Sequence, residues 1–152
     1  MRIALQLATP DDASDLVALT ASTGGRRTEK ATLFVMRTSS VYIARRRGKL
    51  IATLTLSTKK PWAIDKTYFA ASRRPLYLTA MEVHPDMQRQ GVGRLCIEEA
   101  RRIALEWPAD AIRLDAYDRP DGAGDFYRKC GFSEVGRATY RNTPLIYFEM
   151  QL

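Results

Sequence analysis

Between Val83 and Arg94 the sequence reads VHPDMQRQGVGR: an apolar strand end, a His-Pro break, then Gly91 and Gly93 at the start of a stretch with helical period. This combination suits the holding of an anion. Glycines let a backbone approach a ligand without a Cβ in the way, and the free N–H groups of a first helical turn, with the helix dipole behind them, face one point. Gln90, Gly91, Val92 and Gly93 would supply those N–H groups, and Arg89 and Arg94 would add positive charge. The same glycines also suit a tight turn that holds nothing, and the pattern alone leaves both readings open. His84, the only histidine, reads as a turn residue.

A second stretch, FYRKCGF at residues 126–132, begins 35 residues after Gly91. Gln88-x-x-Gly91-x-Gly93 following Val83-x-Pro85, taken with this later stretch, resembles the two motifs of the GNAT family of N-acetyltransferases. The resemblance implies acetyl-coenzyme A as cosubstrate, no metal, and an amine-bearing acceptor such as a small molecule, a lysine or a peptide N-terminus. It implies that the backbone of Met81, Glu82 and Val83 pairs with the pantetheine arm as an added strand, through a bulge and splay that leave main-chain groups free. Residues Arg89 to Arg94 would then hold the pyrophosphate. Tyr127 matches the family tyrosine that lies near the coenzyme sulfur, where a phenol can protonate the departing thiolate; its other reading is packing of a short helix on the sheet.

An amine is mostly protonated near neutral pH, so a base must remove a proton before the nitrogen attacks. Two carboxylates are candidates. Asp115 precedes Tyr127 by the interval of the strand glutamate in the ribosomal-protein alanine acetyltransferases, and Glu82 sits in the cofactor strand. Asp115 has the alternative of pairing with Arg113 on the same strand face, and Glu82 that of a solvated charge. Seven residues before Tyr127, where many relatives have an asparagine, this chain has Pro120, with Asp118 and Asp121 nearby. Two readings from other classes are a non-catalytic acyl-coenzyme A sensor and a basic nucleic-acid-binding protein. A thiol acyltransferase using Cys96 or Cys130 with His84 is a third.

The elements that position these residues follow from period and breakers. Met1–Ala8 reads as a strand that hands over at Thr9-Pro10 to a helix carrying Ala13, Leu16, Val17 and Leu19, ended by Gly24-Gly25. A second helix covers about residues 28–37, and 41–46 with 50–57 form a hairpin around Gly48. Residues 58–74 mix Lys59, Lys60, Trp62, Tyr68, Phe69, Arg73 and Arg74 without period and read as a long loop, which in a compact domain is often functional. This loop is expected to shape the acceptor site. Leu76–Val83 is a buried central strand, and the helix after the glycines runs to Pro108. A strand at 111–116, a short helix at 122–129 and strands at 132–139 and 145–152 complete a mixed α/β domain. The resemblance gives it a mostly antiparallel central sheet flanked by helices, with splayed central strands.

With 152 residues, 45% hydrophobic and 27% charged, the chain has the composition of one globular domain, assigned to residues 1–152. No apolar run approaches the ~20 residues of a membrane span, and the start lacks a secretory signal, so a cytoplasmic protein is expected. Cys96 and Cys130 are too few for a disulfide scaffold and read as buried free thiols. The net charge of +7 lies in the N-terminal half, since residues 1–80 hold 14 of the 24 Lys and Arg but 5 of the 17 acids. Arg45, Arg46, Arg47 and Lys49 form the densest run, but a short cluster at a hairpin is usually solvated, so nucleic acid is not the expected partner. Self-association into a homodimer stays open.

Overall fold

The computed structural model describes all 152 residues, Met1–Leu152. Its backbone gathers into two compact units, Met1–Ser57 with Leu78–Arg102, and Thr58–Tyr77 with Ile103–Leu152. Two of the boundaries fall inside elements, in the strand Pro75–Val83 and in the helix Val92–Glu106.

In the first unit, strands β1 (Gln6–Leu7), β2 (Ser40–Arg46) and β3 (Lys49–Ser57) and residues 78–83 of β4 (Pro75–Val83) follow the order β1-β2-β3-β4. β1 is shorter than predicted: Gln6 and Leu7 pair with Ile43 and Tyr42, and the Ala8 amide reaches the Val41 carbonyl at 2.8 Å. Apolar composition marks what can be buried, whereas pairing also requires a free edge opposite. The hairpin of β2 and β3 turns at Arg47-Gly48, both with positive φ, the geometry that matches strand twist. At that turn Arg45 is neutralised by Asp12 and Asp15, each at 2.8 Å, which takes one cation out of the basic run.

Helix α1 (Ala13–Ser22) turns Leu16 and Leu19, three residues apart, onto Val41, Ile43 and Leu50, with Val35 and Met36 of α2 (Glu29–Thr38) completing that cluster. Thr28 caps α2 by accepting from the Ala31 amide at 3.1 Å, a bond worth about 1 kcal/mol. Burying each of Leu16 and Leu19 contributes roughly 2 kcal/mol, so the core outweighs the cap. β3 is buried along Leu50–Ser57, including Thr53 and Thr55, as befits a strand covered on both faces.

In the second unit, β5 (Ala111–Tyr117), β7 (Thr143–Gln151) and β6 (Ser133–Tyr140) follow the first residues of β4 in the order β4-β5-β7-β6. Pro75, Leu76 and Tyr77 pair in parallel with Ala111, Ile112 and Arg113, so β4, helix α3 (Val92–Glu106) and β5 form the predicted βαβ unit. The pairs β1–β2, β2–β3, β5–β7 and β6–β7 are antiparallel, giving a mixed α/β fold with mostly antiparallel strands. Helix α4 (Gly124–Lys129) is shorter at its start than the sequence suggested, because Gly122 and Ala123 form the turn into it.

Candidate active site

The turn predicted to hold phosphate lies in the first unit. Ala80 has φ 51 inside β4, and a left-handed residue within a strand marks the kind of bulge the sequence reading required. Beyond it, His84 Nδ1 accepts from the Asp86 amide at 3.1 Å and caps a 3-10 turn at Pro85–Met87, so the histidine is a turn residue. Gln88 Nε2 donates to the Val83 carbonyl at 3.0 Å and Gln90 Nε2 to the Asp86 carbonyl at 2.9 Å. These amides fold the turn, and the first one occupies a main-chain acceptor of the strand. Arg89 has φ 60 and Gly91 φ 82, and α3 starts at Val92 with the Leu95 amide on the Gly91 carbonyl at 3.1 Å. Left-handed residues ahead of a helix start turn successive N–H groups into a concavity suited to an anion. A Cβ added at Gly91 would meet no protein atom within 4 Å, so its glycine answers to backbone conformation and to open space above the turn. Arg94 is exposed and only loosely paired with Glu98 at 3.7 Å, and Arg89 is exposed.

Glu82, one residue before Val83, is more firmly held than the sequence suggested. Thr20 Oγ1 donates to its Oε2 at 2.7 Å, Arg27 Nε donates to Thr20 Oγ1 at 2.9 Å, and Arg27 Nη2 stands 3.9 Å from the same carboxylate oxygen. Both Glu82 and Arg27 are largely buried side chains. The reading of Glu82 as a solvated charge therefore does not hold.

Tyr127 and Asp115 lie in the second unit. The Tyr127 ring is buried on α4, edge-on to Phe132 with centroids 5.6 Å apart and tilted on Phe148 at 6.0 Å. Burial, with the neighbouring Cys130 and Asp115 adding to it, pushes the phenol up to about 12. No buried side-chain polar atom lacks a partner, and the phenol makes no hydrogen bond within the protein, so its oxygen meets solvent. Asp115 stands opposite Tyr147 in the β5–β7 register, half-buried, and burial raises it above the usual aspartate range. The alternative partner named from sequence is not its partner: Arg113 Nε bonds Glu149 at 2.8 Å. The two carboxylates near Pro120 are likewise taken, Asp118 by Arg137 at 3.2 Å and Asp121 by Arg119 at 2.9 Å.

Residues 58–74 are more ordered than an aperiodic stretch implies. Tyr147 donates from its hydroxyl to the Ala63 carbonyl at 2.5 Å and accepts from the Asp65 amide at 3.2 Å. Lys60 Nζ spans the Pro61 and Ile64 carbonyls at 2.8 and 2.5 Å, and Asp65 caps a 3-10 turn at Lys66–Tyr68. The Tyr68 ring lies on Gly136, where an added Cβ would stand 2.3 Å from a ring carbon. Buried Arg113 completes the attachment, with Nη2 on the Ala70 carbonyl at 2.6 Å and its guanidinium 4.8 Å from the Phe69 ring centre. Sequence reasoning missed the pins from Arg113 and Tyr147 because they join residues 43 to 84 positions apart; the hint was the charged residues Arg113 and Glu149 within largely apolar strands.

Cys96 is buried and its thiol is pushed up to about 11, mainly by burial, so it stays protonated and unreactive. Cys130 is half-buried rather than buried. No three of the His, Cys, Asp and Glu side chains gather as a metal site would require, and no helix is long and apolar enough to cross a membrane.

Comparison with known proteins gives the same fold. The structure of the ribosomal-protein-S18-alanine N-acetyltransferase from Escherichia coli superposes with a TM-score of 0.77 at 15% identity, covering 98% of this chain and 93% of that one. A Bacillus subtilis acetyltransferase in complex with CoA gives 0.70 at 17% identity over 99% and 98% of the two chains. AAC(6')-Ib, solved with acetyl-CoA, gives 0.81 at 16% identity over 99% and 94%. In sequence, 54 residues are 37% identical to the glucosamine 6-phosphate N-acetyltransferase of Schizosaccharomyces pombe, a match spanning 36% of this chain and 46% of that protein. Residues 13–132 match the profile of the Acetyltransferase (GNAT) family, and the chain belongs to that family.

Proposed function

We propose that this protein is an acetyl-coenzyme A-dependent N-acetyltransferase, and the observation that carries the proposal is the turn after β4. There a bulge at Ala80, left-handed Arg89 and Gly91, open space above Gly91 and the start of α3 combine into a phosphate-binding backbone. The fit to the cosubstrate is main-chain and cationic: residues 81–83 for the pantetheine arm, the amides of Gln90 to Gly93 with Arg89 and Arg94 for the pyrophosphate. When bound, the coenzyme supplies an acetyl thioester, whose C–S bond breaks as the amine nitrogen bonds the carbonyl carbon and gives up its proton.

Asp115 is the better base of the two carboxylates. Burial raises its affinity for a proton and no cation opposes that, whereas the Glu82 carboxylate is already engaged by Thr20 and by Arg27. Glu82 serves instead to bind the acceptor's ammonium group, with its Oε2 held in place by Thr20. Tyr127 takes a role narrower than proton donor. Its proton is held to about 12, and passing it wholly to a thiolate of ordinary value near 8.5 would run uphill by roughly 5 kcal/mol. The phenol therefore offers a hydrogen bond to the sulfur while keeping its proton.

The amino-sugar substrate named for the Schizosaccharomyces pombe relative places phosphorylated amino sugars among the acceptors to try. The test is a panel of amino sugars and their phosphates, polyamines, amino acids and peptide N-termini, following free thiol released from acetyl-coenzyme A. Release with at least one class supports the proposal. A blank panel from protein that binds the coenzyme tightly would replace it with a sensor.

A further inference from the structure

A cavity of about 270 Å³ lies in the second unit where the end of α3 faces the segment entering β4, lined among others by Thr58, Arg73, Arg74, Trp107, Pro108 and Ala109. It includes none of the residues assigned above to the coenzyme or to catalysis; Thr58, Arg73 and Arg74 belong to the segment that the sequence suggested would shape the acceptor site. Its walls are fixed from behind by Asp110. That carboxylate accepts from the Arg73 amide at 2.9 Å, the Arg74 amide at 3.2 Å and the Ser72 hydroxyl. The Asp110 amide in turn donates to the Arg74 carbonyl at 3.1 Å, and the Ala109 amide to the Ala104 carbonyl at 2.7 Å.

Asp110 spends its oxygens on backbone and serine, so neither guanidinium has an acid partner: Arg73 and Arg74 make no side-chain hydrogen bond or ion pair. Beside them Trp107 is 43% exposed and lines the cavity with part of its indole open. Two free guanidiniums offer forked N–H pairs to carboxylate or phosphate oxygens, and an indole flanked by Pro75 and Pro108 offers a flat apolar wall. Drug-sized ligands fill ~300 to 1,000 Å³, so this volume limits the occupant to about one ring and one anionic group.

We propose that this cavity is a second binding site, for a small aromatic anion, with the ring on Trp107 and the anionic group on Arg73 and Arg74. The site is independent of acetyl transfer and stands or falls without it. Trp62→Phe leaves Trp107 as the sole tryptophan, and Trp62 is a fully displayed loop residue at 84% exposure, so its loss should not disturb the fold. Phenyl phosphate titrated into this variant should change the Trp107 emission saturably, with inorganic phosphate at least tenfold weaker and phenol without effect. Adding Arg73→Ala and Arg74→Ala should weaken phenyl phosphate at least tenfold with thermal unfolding unchanged, since Asp110 binds the amides and not the side chains. In the unaltered protein, saturation-transfer NMR should show the phenyl protons in contact. An emission that does not saturate, equal response to phosphate alone, or full affinity in the arginine variant would overturn the site; the last two would place the phosphate elsewhere, as on the turn at Gly91.

Discussion

Asp115 has a folded-state proton affinity raised by burial with no cation opposite, so its ionised form costs the fold stability. A carboxyl raised in this way is most favourable to folding at low pH, and the cost grows as pH climbs through its folded value. Asp115→Asn should therefore raise the thermal unfolding midpoint at pH 7, with the gain shrinking toward zero below the ordinary aspartate value near ~4. Turnover should fall by ~10²- to 10⁴-fold in the same variant, the range for loss of a general base. A midpoint that drops at pH 7 would show Asp115 to be a structural acceptor. Glu82 predicts a different pattern. Arg27→Met removes one cation from its carboxylate while Thr20 remains, and should raise the acceptor Michaelis constant more than it lowers turnover, with Arg27→Lys restoring most of the difference. A change in turnover alone would argue against a role in acceptor binding.

Elements carry the two parts of the chemistry in different ways. The turn proposed to hold the coenzyme is local: ten residues from Val83 to Val92 contain its cap, its left-handed positions and its helix start, so glycine and glutamine spacing made the turn itself legible from sequence. Gly91→Val asks a β-branched residue to hold φ 82, which costs roughly 1 to 3 kcal/mol and places side-chain atoms where the anion would sit. Coenzyme affinity should fall at least tenfold by calorimetry while circular dichroism keeps the native spectrum; undiminished affinity would remove the phosphate assignment. The segment 58–74 is the opposite case, illegible because Arg113, Tyr147, Asp110 and Gly136 hold it from distant parts of the chain. Removing the cation from a buried pair typically costs ~3 to 5 kcal/mol, so Arg113→Ala should destabilise by that order in denaturant unfolding and speed hydrogen exchange around Ala70. Loss of stability without faster exchange there would mean the segment is held without Arg113.

Across the whole molecule, the order of strands and helices followed from hydrophobic period and breakers, and the parallel β4–β5 step within a mostly antiparallel set followed from one helix of fifteen residues between them. What the sequence could not state was which charges pair. Arg113 and Asp115, two apart on one strand, could have been partners, yet Glu149 on the neighbouring strand takes the arginine and leaves the aspartate without a cation. The same limit hid the link from Thr20 to Glu82. Composition likewise placed the positive charge in the N-terminal half, but only the structure shows Arg45 satisfied by Asp12 and Asp15 while Arg73 and Arg74 remain open. The proposed acetyl transfer uses the Tyr127 hydroxyl, and Tyr127→Phe tests it when coenzyme affinity, turnover and thermal unfolding are measured together. Ring packing on Phe132 and Phe148 survives the change, so affinity and unfolding should hold. Turnover should fall about 10²-fold, the low end for such a donor, because the phenol gives a hydrogen bond and not its proton. Unchanged turnover would make Tyr127 a packing residue and contradict the mechanism.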